Sequence, residues 1–360
     1  MNIEFPVFKT KTEGVTQTYD MSDPVSRREY FNAKCGDEIT KIKDFFDNGN
    51  TFVAYFLGKK NSGKGTYCKL FAEIVGQDRI VHLSVGDLVR NANEAAKDPT
   101  QLAEIKKFME ENYRGFMSID ECINALMSRD VGSLLPTEFI LALTKMEIAK
   151  HPRKAIFLDG FPRQMDQVSY SLYFRDLINY RQDPDFFVMI DIPNTIIDAR
   201  IKSRVICPIC HTPRNTILLR TKEIGYDKDN DKFYLICDNP QCEGFGKEKM
   251  VGKEGDDKGI EAIKDRLATD ETLIEKAFGI YGIPKILLRN SVPVDIAKDM
   301  VDDYELTPEF IYNYNQAENK VDVTEKPWTV KDDKGVESFS LMPPPVVVSM
   351  VKQMAKILGL

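Results

Sequence analysis

Residues 55–66 read Tyr-Phe-Leu-Gly-Lys-Lys-Asn-Ser-Gly-Lys-Gly-Thr, so an apolar strand end runs straight into G-x-x-x-x-G-K-G-T. This run constrains the fold more than any other feature of the chain. It demands a strand, a glycine-rich loop and a helix in immediate succession. Thr51 to Leu57 reads as a buried strand and Lys64 to Gly76 as an amphipathic helix. Glycines let the loop curl so that successive amides point inward at an anion. Gly58, Asn61, Ser62, Gly63, Lys64, Gly65 and Thr66 are the candidate residues for holding the phosphates of a nucleoside triphosphate. Lys64 would reach the outer phosphates, and the positive end of the following helix would face them. Gly65 stands where a hydroxyl is expected, which leaves Thr66 as the nearest hydroxyl for magnesium. A plain glycine-rich turn is the competing reading of the pattern alone.

A second segment weighs against that plainer reading. Residues 155–163 read Ala-Ile-Phe-Leu-Asp-Gly-Phe-Pro-Arg, followed by Gln167. Again an apolar strand ends in a charged, glycine-containing turn. Ligands of open α/β sheets bind beyond the carboxyl ends of the strands, so Asp159 is expected beside the phosphate loop, holding magnesium or its waters. Together, Gly58–Thr66 and Phe157–Arg163 strongly resemble the adenylate kinases and their nucleoside monophosphate kinase relatives.

Composition agrees with that class. The chain has 360 residues, 42% hydrophobic and 29% charged, with a net charge of −7 and no dense Lys/Arg block. Such a balance suits a soluble globular protein binding small anions in a local basic pocket, and it disfavours a nucleic-acid partner. No apolar run approaches a membrane span, and the start of the chain has no charged-then-apolar leader, so no membrane contact and a cytoplasmic monomer are expected.

Four of the seven cysteines have a pattern: Cys207-Pro-Ile-Cys210 and Cys237-Asp-Asn-Pro-Gln-Cys242. Two close pairs, each offering two thiolates from one tight turn, suit tetrahedral zinc. Disulfides or unrelated buried thiols are the alternatives, and a reducing compartment disfavours the first. The second pair is more widely spaced than usual. His211 is read as a neighbour of the site. Cys35, Cys68 and Cys122 have no partners in sequence, and Cys68 is expected to be simply buried.

Strands alternating with helices predict a parallel, doubly wound α/β sheet flanked by helices. Residues 1–50 look like an appended segment with a helix near 36–47. Further strands are expected at Arg79–Leu83, Ala155–Leu158 and Phe186–Ile190. Helices are expected at Leu102–Asn112, Ile119–Met127, Thr137–Lys150, Thr195–Arg204, Ile260–Tyr281 and Val346–Leu358.

The resemblance covers about 51–290 and the last twenty residues. It implies a P-loop kinase core at 51–86, 151–204 and 256–360, a helical monophosphate-binding insertion at 87–150 and a zinc-clasped lid at 205–255. Residues 1–50 and about 291–335 are additions to which the resemblance gives no role. The implied reaction is Mg²⁺-dependent phosphoryl transfer from ATP to AMP, yielding two ADP. Lys64, Asp159, Arg163, Arg204 and Arg266 would be catalytic. Arg200 would stack on the ATP base and Arg204 would hold its phosphates. Val85, Arg90, Leu135, Gly160, Arg163, Gln167 and Arg266 would take AMP, with Gln167 reading the base. Cys207, Cys210, Cys237 and Cys242 would hold zinc; Thr66 and Asp159 would hold magnesium, directly or through water.

Three departures stand out. Val85 replaces a usual threonine, Glu254 and Gly255 occupy the place of a lid arginine, and the segment from Asp256-Asp257 to Arg266 is one residue longer than usual. Lys253 or Lys249 could substitute for that arginine, but without its bidentate fork. A pyrimidine monophosphate kinase, a zinc-stabilised nucleotide binder without transfer activity, and a cysteine-knuckle nucleic-acid ribbon are the alternatives.

Overall fold

Strands buried on both faces carry near-continuous apolar runs, and three of them, flanked by two less buried edge strands, build the centre of this chain. The computed structural model describes residues 3–14, 17–128, 135–160, 177–178 and 180–360. In it β1 (Val53–Gly58), β2 (Ile80–Ser84), β3 (Ala155–Asp159), β4 (Asp185–Asp191) and β10 (Lys285–Arg289) lie in the order β10-β4-β1-β3-β2. Each pairing is parallel. Ala54 and Phe56 of β1 face one core with Phe157, Val188 and Leu288, while Val53, Tyr55 and Leu57 face another with Ile156, Leu158 and Met189. That alternation is the period of two that a strand imposes, and two apolar faces require helices on both sides. α1 (Pro24–Asp47), α2 (Lys64–Val75) and α10 (Pro343–Leu358) cover the first face. The second is covered by α6 (Thr137–Ala149) and α8 (Lys264–Phe278). The fold is the expected P-loop α/β sheet.

Helices α3 (Val85–Ala95), α4 (Pro99–Asn112), α5 (Ile119–Ser128) and α6 enclose a separate small core of Leu88, Ile105, Met109, Ile123 and Phe139. After α7 (Asn194–Lys202), a three-stranded sheet of β5 (Arg204–Ile206), β6 (Pro213–Asn215) and β9 (Val251–Gly252) is joined by the hairpin of β7 (Ile224–Asp227) and β8 (Lys232–Leu235). Three of the four paired cysteines are buried in the core of this unit, beside Leu235 and Met250.

One expectation is extended and one corrected. The helix expected near 36–47 is present, and non-helical backbone at Cys35 (φ −153°, ψ 34°) sets it off from a preceding helical stretch that opens at Pro24. Asp23 caps it by accepting the Ser26 N–H at 2.7 Å, a start signal that Asp-Pro carries in sequence. Tyr30, Phe31 and Ile42 bury themselves in the main core, so this segment belongs to the body of the fold. The single helix expected over 260–281 is two elements. A 3₁₀ stretch at Asp256–Ile263 is broken at Gly259 (φ 55°), and α8 starts at Lys264. Gly259 is pressed against Asp198, whose Oδ1 accepts the Ile260 N–H at 3.0 Å, so a side chain at 259 would collide with that carboxylate.

Residues from 291 onward fold as β11 (Ser291–Pro293), α9 (Val294–Met300), the long hairpin β12 (Pro308–Asn315) and β13 (Lys320–Pro327), then β14 (Thr329–Lys331) and β15 (Glu337–Ser340). The β12–β13 hairpin reaches across to the cysteine unit. Tyr314 stacks on Tyr226 with ring centroids 4.3 Å apart, and the Tyr312 hydroxyl donates to the Thr216 carbonyl at 2.6 Å. Stacked pairs of this kind contribute about 1 kcal/mol beyond their burial. Tyr314→Ala should therefore lower hydrogen-exchange protection of the β7–β8 amides roughly fivefold, with β1 and β4 unchanged. Equal protection in variant and parent would show that the hairpin merely lies alongside.

Candidate functional site

The carboxyl ends of β1, β2 and β3 open into one cleft of about 450 Å³, lined among others by Gly58, Lys60, Asn61, Lys64, Ser84, Gly86, Arg90, Asp159, Gly160, Arg266 and Asp270. The loop between β1 and α2 forms its floor. Gly63 begins α2 at φ 96°, a left-handed conformation that side chains resist, and Asn61 adopts φ 67°. Lys64, in the first turn, folds its ammonium onto the Gly58 carbonyl at 2.8 Å and the Lys59 carbonyl at 3.2 Å. Asp159 Oδ1 lies 3.7 Å from that ammonium, and His82 Nε2 lies 3.9 Å from Asp159 Oδ2. Burial holds the His82 imidazole below its ordinary range, against the opposing pull of Asp159.

The cationic wall of the cleft comes from other segments. Arg90, on the exposed side of α3, pairs with Asp87. Arg266 donates from Nε to Asp270 Oδ1 at 2.9 Å, and the same carboxylate accepts the Lys60 N–H through Oδ2 at 2.9 Å. Asp270 thereby links α8 to the phosphate loop. Sequence reading missed it, although an acid four residues beyond an arginine on one helix face is a detectable signal. Val85 is buried in the core behind the cleft and Leu135 packs on the helical unit. Thr66 is exposed in the first turn of α2. Arg200 and Arg204 do not line the cleft: Arg200 donates to Asn290 Oδ1 at 3.3 Å, and Arg204 grips Asp256 through two bonds of 2.6 and 2.7 Å. Arg163 and Gln167 lie outside the described residues.

The two cysteine pairs converge. All four sulfurs lie within 4.8 Å of one another, with Cys207–Cys242 and Cys210–Cys237 each at 3.8 Å. A tetrahedron with zinc–sulfur bonds of about 2.3 Å spans about 3.8 Å from sulfur to sulfur, whereas a disulfide needs about 2.05 Å. The donor set is compatible with zinc and not with disulfides. Thr212 pulls the Cys210 thiol down to about 5 through its hydroxyl and amide, while burial pushes Cys237 up to about 12.

Comparison with known proteins agrees with this geometry. A family profile described as an AAA domain matches residues 57–205. The adenylate kinase of Thermotoga petrophila is 31% identical over 168 residues, covering 47% of this chain and 65% of the relative. That of Thermotoga neapolitana is 27% identical over 227 residues, covering 58% and 91%. That of Staphylococcus epidermidis is 31% identical over 190 residues, covering 51% and 75%. Among the described residues, no helix is long and apolar enough to cross a membrane.

Proposed function

The chain belongs to the adenylate kinase family, and we propose that it transfers the γ-phosphoryl group of ATP reversibly to AMP, giving two ADP. The observation that carries this reading is the convergence of Lys64, Arg90, Asp159 and Arg266 on one cleft above a phosphate loop. Bringing two polyanions together is mainly a problem of charge, and the attacking phosphate oxygen is already ionised, so no strong general base is needed. Catalysis then rests on positioning and neutralisation. In this reading Lys64 and the loop amides hold the donor phosphates, Arg90 holds the acceptor phosphate, and Arg266 reaches both chains. Arg163 would join the acceptor clamp, and Gln167 would read the adenine edge with paired amide bonds. Arg200 and Arg204 would meet the donor only after the hinge that carries them moves, Arg204 exchanging Asp256 for phosphate.

Asp159 offers hard carboxylate oxygens at the cleft and Thr66 a hydroxyl nearby, a donor set that fits magnesium. When bound with ATP, the ion would neutralise charge developing on the transferred group. We assign residues 87–150 to acceptor binding and 205–255 to a lid that excludes water, stapled by zinc on Cys207, Cys210, Cys237 and Cys242. The protein would act as a cytoplasmic monomer on ATP, AMP and ADP.

Val85 supports a second reading. An apolar side chain stands where a polar contact to the acceptor is usual, which suits a pyrimidine monophosphate. ADP formation from MgATP, with AMP, CMP, UMP and GMP offered separately, decides between them. A kcat/KM for AMP at least about tenfold above the others is expected, with Gln167→Ala eroding that preference more than it weakens ATP binding. Preference for UMP or CMP would move the protein to the sister specificity. ATP binding without turnover would leave a nucleotide-binding protein.

A further inference from the structure

Lys59, the second residue of the phosphate loop, points away from the cleft into the body of the protein. Its side chain is 1% exposed, and its ammonium meets Glu271 at 2.8 Å, Asp333 Oδ2 at 3.0 Å, Asn194 Oδ1 at 3.0 Å and the Ile192 carbonyl at 3.1 Å. Glu271 belongs to α8. Asp333 comes from the turn between β14 and β15, within the segment that has no counterpart in the family pattern.

The other oxygen of Asp333 has a separate task. Asp333 Oδ1 accepts the N–H of Asn194 at 2.7 Å. Asn194 opens α7, whose preceding residue is Pro193, so the helix has no side-chain cap of its own. An acceptor placed there satisfies a helix-start donor and complements the positive end of the dipole. α7 carries Arg200 and runs directly into Arg204. One carboxylate therefore ties the phosphate loop to the helix that bears Arg200 and leads into Arg204.

The turn that presents Asp333 is itself held firmly. Asp332 Oδ1 accepts the amides of Lys334 and Val336 at 2.9 Å, and its Oδ2 pairs with Arg289 of β10 at 3.3 Å. Thr195 donates its hydroxyl to the Lys331 carbonyl at 2.7 Å. A buried ammonium that loses one of two carboxylates must rearrange, and the loop backbone at Lys59 moves with it.

We propose that Asp333 is a positioning residue for the donor nucleotide, making the inserted segment a brace for the phosphate loop and α7. The proposal rests on the kinase reading above, and its test separates the two. MgATP binding is measured by calorimetry on the full chain, and initial rates are measured with donor and acceptor varied independently. Asp333→Ala should raise both Kd and KM for MgATP about tenfold while the KM for AMP changes less than about twofold. Asp333→Asn, which keeps an oxygen for the Asn194 N–H, should recover part of the loss. In a Lys59→Met background, where the buried charge is gone, Asp333→Ala should cost no more than about a further threefold. Donor affinity unchanged in Asp333→Ala, equal losses for donor and acceptor, or simple multiplication of the Lys59 and Asp333 effects would each overturn the proposal. If Asp333→Ala does not fold by circular dichroism, unchanged donor affinity in Asp333→Asn and in Lys59→Met would overturn it instead. A parent protein that binds MgATP but turns over no monophosphate would end the kinase reading, and the calorimetric comparison would still decide the brace. A parent that does not bind MgATP would end both.

Discussion

Lys64→Ala should lower the rate of ADP formation by about a thousandfold or more while leaving the melting temperature within a few degrees of the parent. Removing a single neutral donor from a site of developing charge already costs about 10²–10³-fold. Lys64 supplies a full positive charge where the outer phosphates of the donor would lie. Among the described residues its ammonium bonds to the carbonyls of Gly58 and Lys59, with Asp159 Oδ1 at 3.7 Å. Its loss therefore removes no apolar core, and the loop strand and helix remain anchored by Phe56, Tyr67 and Phe71. Lys64→Arg should not restore the rate, because a planar fork cannot replace a compact ammonium inside a narrow loop. A coupled assay for ADP, run beside thermal melting, tests both halves. Turnover within tenfold of the parent would remove the loop lysine from the mechanism.

Cys237→Ser should reduce bound zinc from about one ion per chain to near zero and melt the cysteine unit while sparing the central sheet. Cys207, Cys237 and Cys242, with Leu235 and Met250, are the buried core of that unit, so the metal would replace a hydrophobic core too small to stand alone. Structural zinc contributes an apparent ~10–16 kcal/mol in small metal-dependent domains, and there it is folding energy. Hydrogen exchange should show protection lost from β7, β8 and residues 237–250, then weakened in β12–β13 through the Tyr226–Tyr314 stack. β1, β3 and β4 should be unaffected, being buried on both faces away from the unit. Metal analysis of freshly purified parent protein comes first. Absence of zinc, or unchanged exchange in the variant, would return the four thiols to the status of ordinary core residues.

The parts legible in sequence share one property: their partners are close in the chain or their pattern is periodic. The phosphate loop is nine consecutive residues between a strand and a helix, and its conformation follows from its own glycines and the helix start at Lys64. Four of the five sheet strands are legible as apolar runs, whereas β10, an edge strand with Lys285 and Arg289 at its ends, was not expected from the sequence. The cysteine pairs are readable because each is one turn. The helix at 36–47 was legible as well, whereas the stretch before the Cys35 kink was not read, although Asp23 and Pro24 signal its start.

The remainder depends on distant partners. Gly259 breaks a helical pattern because Asp198, far away in sequence, occupies the space its side chain would need. Arg200 and Arg204 have the spacing of ligands on one helix, yet Asn290 and Asp256 hold them away from the cleft. Asp270 became part of the cleft only when α8 was laid along the phosphate loop. Lys59 reads as a second loop cation like its neighbour Lys60, and nothing local says that it points inward. The local alphabet of strands, phosphate loop and thiol turns was thus written into the chain, because short-range sterics and burial periodicity specify it. Which charges face the cleft and which are buried against Glu271 and Asp333 was decided only by the packed fold, since an ammonium leaves water only where carboxylates from remote segments already wait for it.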